Sequence, residues 1–272
     1  MSKRMSKIGL ATTMLFAGFI LSACGGGGGG GSDDSSSSSS SSAGDGTLKA
    51  GLFDATIEYV GSDRTESATT YISSTGKFAV IYGGNTGVSI GKLSFDGTAI
   101  SGNSYDYREI GPEGFIEDKG DEGTISGTIN SRESATFTTS DAEGDVNTKV
   151  TLQRQNTLSD RDISLADAAG TYEKGNSEVV LTVGSDGTVE SSYYTDTTGC
   201  YLTGAQANSL SVPDASINVF DISYTMSNCT EVEGESSRNG DYTGLGFFGD
   251  QQKQIVFTAH NEAVAMKFQG TK

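Results

Sequence analysis

From Thr47 to the end of the chain, apolar residues recur every second position in short runs, and Gly, Asp, Asn and Ser separate those runs. In Glu178 to Val183 the residues Val179, Leu181 and Val183 share one face, and in Gln254 to Ala259 Ile255, Phe257 and Ala259 do. Period two is the pitch of an extended strand, so these segments read as antiparallel β structure. The turns agree: Thr75-Gly76, Asp96-Gly97, Ser185-Asp186-Gly187 and Asn239-Gly240 each put a glycine between strand-like runs. No stretch of ten residues carries helical periodicity. The best helical candidate is the single turn from Leu165 to Ala169.

The strand pattern also repeats. Ala50-Gly51-Leu52-Phe53 matches Ala169-Gly170-Thr171-Tyr172 as Ala-Gly-X-aromatic. Thr70 to Phe78 corresponds to Val179 to Val189, the run from Gly123 to the run from Gly240, and Ala135 to Thr139 to Ile255 to Ala259. Each copy closes on an alternating strand, Thr148 to Leu152 and Ala263 to Phe268. The expected fold is therefore all-β, with two tandem small antiparallel barrels or sandwiches, 47–155 and 169–272, joined by a linker over 156–168. One larger β-sandwich is the competing reading. Tyr59, Phe78, Tyr82, Phe95 and Phe137 are expected in the first core. Tyr172, Leu181, Val183, Phe257 and Phe268 are expected in the second.

Upstream, the composition differs. Lys3, Arg4 and Lys7 precede an apolar run from Ile8 to Leu21 that is shorter than the about 20 residues of a spanning helix. Residues 1–23 thus read as a secretory signal peptide. Leu21-Ser22-Ala23-Cys24 resembles the lipobox of bacterial lipoproteins, which implies lipidation (palmitate included) of Cys24 as the first mature residue. Residues 25–31 are all glycine and 35–42 all serine. With no side chain to bury, 24–46 is expected to be a disordered tether with a reach of roughly 25 to 30 Å. Gly25 is not the aspartate that resembles an inner-membrane retention signal, so the expected address is the outer membrane, facing the periplasm or the cell surface.

The charge balance is 18 basic against 35 acidic residues, and processing before Cys24 lowers it to −20. Such a field repels nucleic acid, and no nucleic-acid partner is expected. The chain has one histidine and no tryptophan, and with Cys24 assigned to lipid only Cys200 and Cys229 remain. An even pair in an oxidising compartment is expected to form a disulfide worth about 3.5 kcal/mol in the chain-entropy account. No Cys-x-x-Cys supports a redox role.

Chemistry is sparsely supplied. His260 is read as a surface residue at the end of a hairpin strand, and no Gly-x-Ser-x-Gly elbow accompanies it. Carboxylate pairs carry no signal among so many acids. The run Glu109, Glu113, Glu117, Asp118, Asp121 and Glu122 admits a calcium reading, but its spacing is not that of Asp-x-Asp-x-Asp-Gly, and a solvated loop is the plainer account. No catalytic residue, cofactor or metal is therefore assigned.

The second half, with Ala169-Gly170-Thr171-Tyr172, Gly199-Cys200-Tyr201-Leu202-Thr203-Gly204, Asn218-Val219-Phe220, Asn228-Cys229 and Asp241-Tyr242-Thr243-Gly244-Leu245-Gly246, resembles a group of uncharacterised Gram-negative outer-membrane lipoproteins. The likeness spans roughly 165–270 and implies a disulfide-stapled, β-rich envelope domain with no activity attached. The first half lacks both cysteines. The expected function is a lipid-anchored, non-enzymatic binding module at the cell envelope, with a protein, glycan or small molecule as partner. Alternatives are a β-barrel carrier of a small apolar ligand and an envelope hydrolase.

Overall fold

The computed structural model describes residues 47–108, 115–116, 120–175, 180–192, 200–203, 209–230, 237–249 and 252–272. The signal segment, Cys24 and the tether lie outside the described residues.

Eight strands of the first half form a closed antiparallel barrel: β1 (Gly51–Tyr59), β2 (Thr65–Ile72), β3 (Lys77–Tyr82), β4 (Gly87–Asp96), β5 (Ala99–Arg108), β7 (Asp121–Ser131), β8 (Ser134–Ser140) and β9 (Val146–Arg154). They pair in chain order, and β9 closes on β1 with Phe53 opposite Arg154 and Ile57 opposite Val150. A two-residue strand, β6 (Phe115–Ile116), leaves the β5–β7 connection to pair elsewhere.

Two short helices follow, α1 (Asn156–Ser159) and α2 (Leu165–Ala168). The second is the single turn expected from the sequence, capped by Ser164 Oγ accepting from Asp167 N at 3.2 Å. The second half then repeats the meander: β10 (Gly170–Glu173), β11 (Val180–Val183), β12 (Val189–Ser192), β13 (Tyr201–Thr203), β15 (Phe220–Ser227), β16 (Gly240–Phe248), β17 (Gln254–His260) and β18 (Ala265–Thr271). A short β14 (Leu210–Ser211) also pairs with β15. The ring closes between β10 and β18 at Glu173 and Thr271. β6 of the first half is laid on β18, with Ile116 opposite Ala265.

The two halves thus share one strand order, and the copies match in detail. Gly51 and Gly170 open the barrels at φ 138° and 143°. The β2–β3 and β11–β12 turns place Gly76 and Gly187 at φ 81° and 87°, and each glycine carbonyl accepts from a leucine amide, Leu93 and Leu210, at 2.8 Å.

Alternation fills both barrels. In β1, Phe53, Ala55 and Ile57 point into the first barrel, while Asp54, Thr56 and Glu58 are exposed. That is the reverse of the apolar-out pattern of a membrane-spanning barrel. No helix among the described residues is long and apolar enough to cross a membrane. Phe78 and Phe137 lie in the first interior, with Tyr59, Tyr82 and Phe95 at its margin. All five residues expected in the second core are there, with Tyr224 and Tyr242 stacked at 5.2 Å beside them. The bond between Cys200 and Cys229 is formed and buried, bridging the residues just beyond the ends of β13 and β15.

A third apolar cluster lies between the barrels. Leu52, Tyr71, Ala79, Ile81, Val88 and Ile90, on the outside of the first barrel, pack against Ile217, Val219, Leu245, Phe247, Val256 and Ala265, on the outside of the second. These strands are buried on both faces, so burial is continuous over Phe78 to Ile81 in β3 and over Ile255 to Ala259 in β17, with Thr258 the one polar residue among them. The connection is clamped to both halves. Ser159 Oγ accepts from Leu52 N at 2.9 Å, and the Asn218 side chain donates to Leu158 O and Phe248 O and accepts from Phe248 N.

Candidate functional site at the seam between the barrels

Where the facing outer walls diverge, they leave a cleft of about 410 Å³. One wall is a row across three strands of the first barrel, Asp54 opposite Thr69 and Thr69 opposite Ile81, with Ser67 beside it. The other is a row across β16, β17 and β18, Phe247 opposite Val256 and Val256 opposite Gln269, flanked by Gln254 and Lys267. Both rows exist because period two sends alternate residues outward, where each barrel must cover the other.

Next to the cleft the two walls are joined by apolar contact and one buried hydrogen bond. The Tyr71 ring packs at 5.3 Å on Phe247, and its hydroxyl shares a 2.6 Å bond with Thr258 Oγ1. Lys267 pairs in register with Thr258 and is 9% exposed. Burial first, and the Lys174 charge second, pull its ammonium below the ordinary lysine value. Across the cleft, Asp54 Oδ1 accepts from Gln155 Nε2 at 2.7 Å. Ser67, Thr69, Gln254 and Gln269 spend no side-chain hydrogen bond on any described residue.

The expected position of His260 is corrected. It does end the hairpin strand β17, but it is half-buried in the seam. Its Nδ1 is 2.8 Å from the Tyr107 hydroxyl, and the rings of Tyr105 and Tyr107 flank it at 5.7 and 5.8 Å. Burial pulls its pKa below the ordinary value, with Glu262 opposing. A neutral imidazole accepting at Nδ1 from the tyrosine fits these surroundings.

A second polar group lies inside the first barrel. The Tyr82 hydroxyl is 2.6 Å from Ser89 Oγ, which donates to Asp106 Oδ1. Burial raises the Asp106 pKa. Sequence reasoning missed this chain because its members belong to different strands. Only the register that places Ser89 opposite Asp106 joins them. The cleft was missed for the same reason, although Lys267 between Met266 and Phe268, an ionisable residue inside an apolar strand, was a signal in the sequence.

The remaining assignments fall as follows. Cys24 and most of the acidic run from 109 to 122 lie outside the described residues. From that run, Asp121 stands 4.0 Å from Arg108, a fully exposed pair of little energetic weight. Among the described residues, no three His, Cys, Asp or Glu side chains converge as a metal site.

No protein-family model matches the chain, and no curated protein does. Among solved structures, Aeromonas veronii immune modulator A aligns over 82% of this chain and 94% of its own length, at 10% identity and a TM-score of 0.34. At that score the likeness assigns neither fold nor function.

Proposed function

We propose that this chain is an outer-membrane lipoprotein, anchored through Cys24, whose two barrels act together as a non-enzymatic binding module with its ligand in the seam. One observation carries the reading: a cleft of ligand size walled by both barrels, in whose lining Ser67, Thr69, Gln254 and Gln269 spend no side-chain hydrogen bond on a described residue. The interiors of the barrels are packed with side chains, which favours the seam over a barrel lumen as the place of binding. His260 is engaged by a tyrosine rather than poised on a nucleophile, which supports binding rather than hydrolysis. The lipobox-like segment and the Gly/Ser run support a tethered domain held clear of the headgroups.

Two measurements test the reading. Cell fractionation is expected to find the wild-type chain with membranes and Cys24→Ser in the soluble fraction; retention of the variant overturns the anchor. Native mass spectrometry of the full chain, purified from its own envelope in mild detergent, is expected to show a small-molecule adduct that Thr69→Trp, which fills the cleft, removes. An adduct unchanged in Thr69→Trp overturns binding at the seam.

A further inference from the structure

The cleft narrows the class of ligand, an inference that rests on the binding-module reading above. We propose that it takes a small neutral polyhydroxylated molecule, a mono- or disaccharide, held between the outward amides and hydroxyls of the two barrels over an apolar strip.

The argument begins with the donors and acceptors. Gln254 and Gln269 each offer a carbonyl and an amino group, and Ser67 and Thr69 each offer a hydroxyl that both donates and accepts. None of the four is bonded to a described residue, so each is available to a ligand. Only a ligand that itself both donates and accepts at many points matches such a set, and a sugar ring does so at every hydroxyl. A purely apolar ligand would strip water from these groups without replacing their bonds.

Charge points the same way. Asp54 and Lys267 stand on opposite walls of the same cleft, so the site carries both signs, and the chain around it is strongly acidic. A small anion meets Asp54 and an acidic field, while a small cation meets Lys267. A neutral hydroxyl-bearing ligand meets neither penalty, and it can donate to the Asp54 carboxylate and accept from the Lys267 ammonium. Ile81, Phe247 and Val256 supply the apolar strip on which the C–H face of a pyranose rests. The ligand is thereby distinguished from the apolar cargo of a barrel carrier by where it sits and by what it is.

The test uses the full chain in mild detergent and calorimetric titration with chitobiose, maltose and lactose, with hexanoate as an anionic probe and hydrogen–deuterium exchange to locate binding. At least one saccharide is expected to bind and to protect amides in 67–69, 254–256 and 267–269. Gln269→Ala is expected to weaken that saccharide by about tenfold, the loss of one good hydrogen bond. Thr124→Ala, on the exposed face of β7, is expected to leave it unchanged. If Gln269→Ala binds as tightly as the wild type, or the protected amides lie elsewhere, the assignment of this cleft to a saccharide falls. If hexanoate protects the cleft and no saccharide does, the ligand class falls and the binding module stands. If neither class protects the cleft, both fall.

Discussion

The Tyr71 hydroxyl and Thr258 Oγ1 share a 2.6 Å hydrogen bond across the seam, buried on both sides and 187 residues apart in sequence. It is a buried polar pin between the barrels, alongside the Tyr107–His260 bond and the Lys77–Asp221 pair at 2.8 Å, and it ties β2 to β17 next to the cleft. Desolvation puts the Tyr71 phenol far above its ordinary pKa, so it stays protonated. Tyr71→Phe is expected to cost about 1–3 kcal/mol, because it strands a buried hydroxyl rather than removing a solvated bond. Tyr71→Phe combined with Thr258→Val is expected to cost less than the sum of the singles, since the pair removes both polar atoms. Urea denaturation of the four proteins measures the cycle, and strict additivity would show that the bond couples nothing.

The seam is also expected to weaken in mild acid. Burial lowers the folded-state pKa of His260, so the folded chain prefers the neutral ring that accepts from Tyr107. The unfolded chain takes up the proton first, near the ordinary histidine value of 6.5. Stability from this group is therefore complete above that pH and falls as pH drops through it toward the lower folded value. His260→Gln is expected to flatten the slope of unfolding free energy against pH between about 7 and 5. An equal slope in the variant would place the acid sensitivity elsewhere.

A separate loss is expected in stronger acid. Asp160 accepts from Arg154 at 2.7 and 3.1 Å and from Lys49 at 2.7 Å, and the Arg154 guanidinium, foremost among these partners, holds its carboxyl at about 2. The pKa is depressed on folding, so the contribution is present above the unfolded value of 3.8 and is lost as pH falls from there toward 2. Asp160 is 42% exposed, so solvent screening keeps this contribution modest, while the Arg154 side chain is wholly buried and also donates to Ala50 O. Asp160→Asn is expected to remove the slope below pH 4, and Arg154→Met to cost more than Asp160→Asn at neutral pH. Acid titrations followed by circular dichroism decide the first, and neutral-pH urea melts the second.

What was legible in the sequence follows from which interactions are local in chain and register. Inward alternation in β1 and the glycine turns at Gly76 and Gly187 are set within a few residues, so two tandem antiparallel β units, barrels or sandwiches, could be drawn in advance, while closure into barrels depends on long-range pairing such as β1 with β9. The run Phe78-Ala79-Val80-Ile81 breaks that alternation, because Ala79 and Ile81 serve the seam while Phe78 and Val80 serve the interior. Continuous burial on two faces was the available sign that the barrels pack together, and single-strand reading does not say against what. Apart from Lys267, the cleft left no local mark in the sequence, for a related reason. Asp54, Thr69, Gln254 and Gln269 are ordinary outward polar residues of strands until two curved walls bring them opposite one another.

The disulfide is expected to matter locally. β13 pairs with β15 over only Tyr201 to Thr203, and Cys200 and Cys229 lie just beyond that short ladder in the core of the second barrel. Reduction or Cys200→Ser is expected to cost about 2–5 kcal/mol and to raise hydrogen exchange first in β12 and β13. Amides of the first barrel, closed by its own β1–β9 ladder, are expected to stay protected. Equal loss of protection in both barrels would show that the whole molecule unfolds as one unit.

The paired glycines that open the barrels give the last prediction. Gly51 and Gly170 have φ of 138° and 143°, a region that costs an L-residue about 1–3 kcal/mol, so alanine at either position is destabilising. The neighbours differ, however. A Cβ at Gly51 would come within 2.6 Å of Ser159 Cβ and Oγ, the very hydroxyl that caps Leu52 N, whereas at Gly170 it would meet the end of Lys272 at 3.0 Å. A lysine side chain can swing aside, while Ser159 is held in α1 by its bonds to Leu52. Gly51→Ala is therefore expected to lose more stability than Gly170→Ala by at least the cost of one buried hydrogen bond, about 1 kcal/mol. Thermal melts of the two variants measure the difference, and equal losses would mean that backbone strain alone governs both sites.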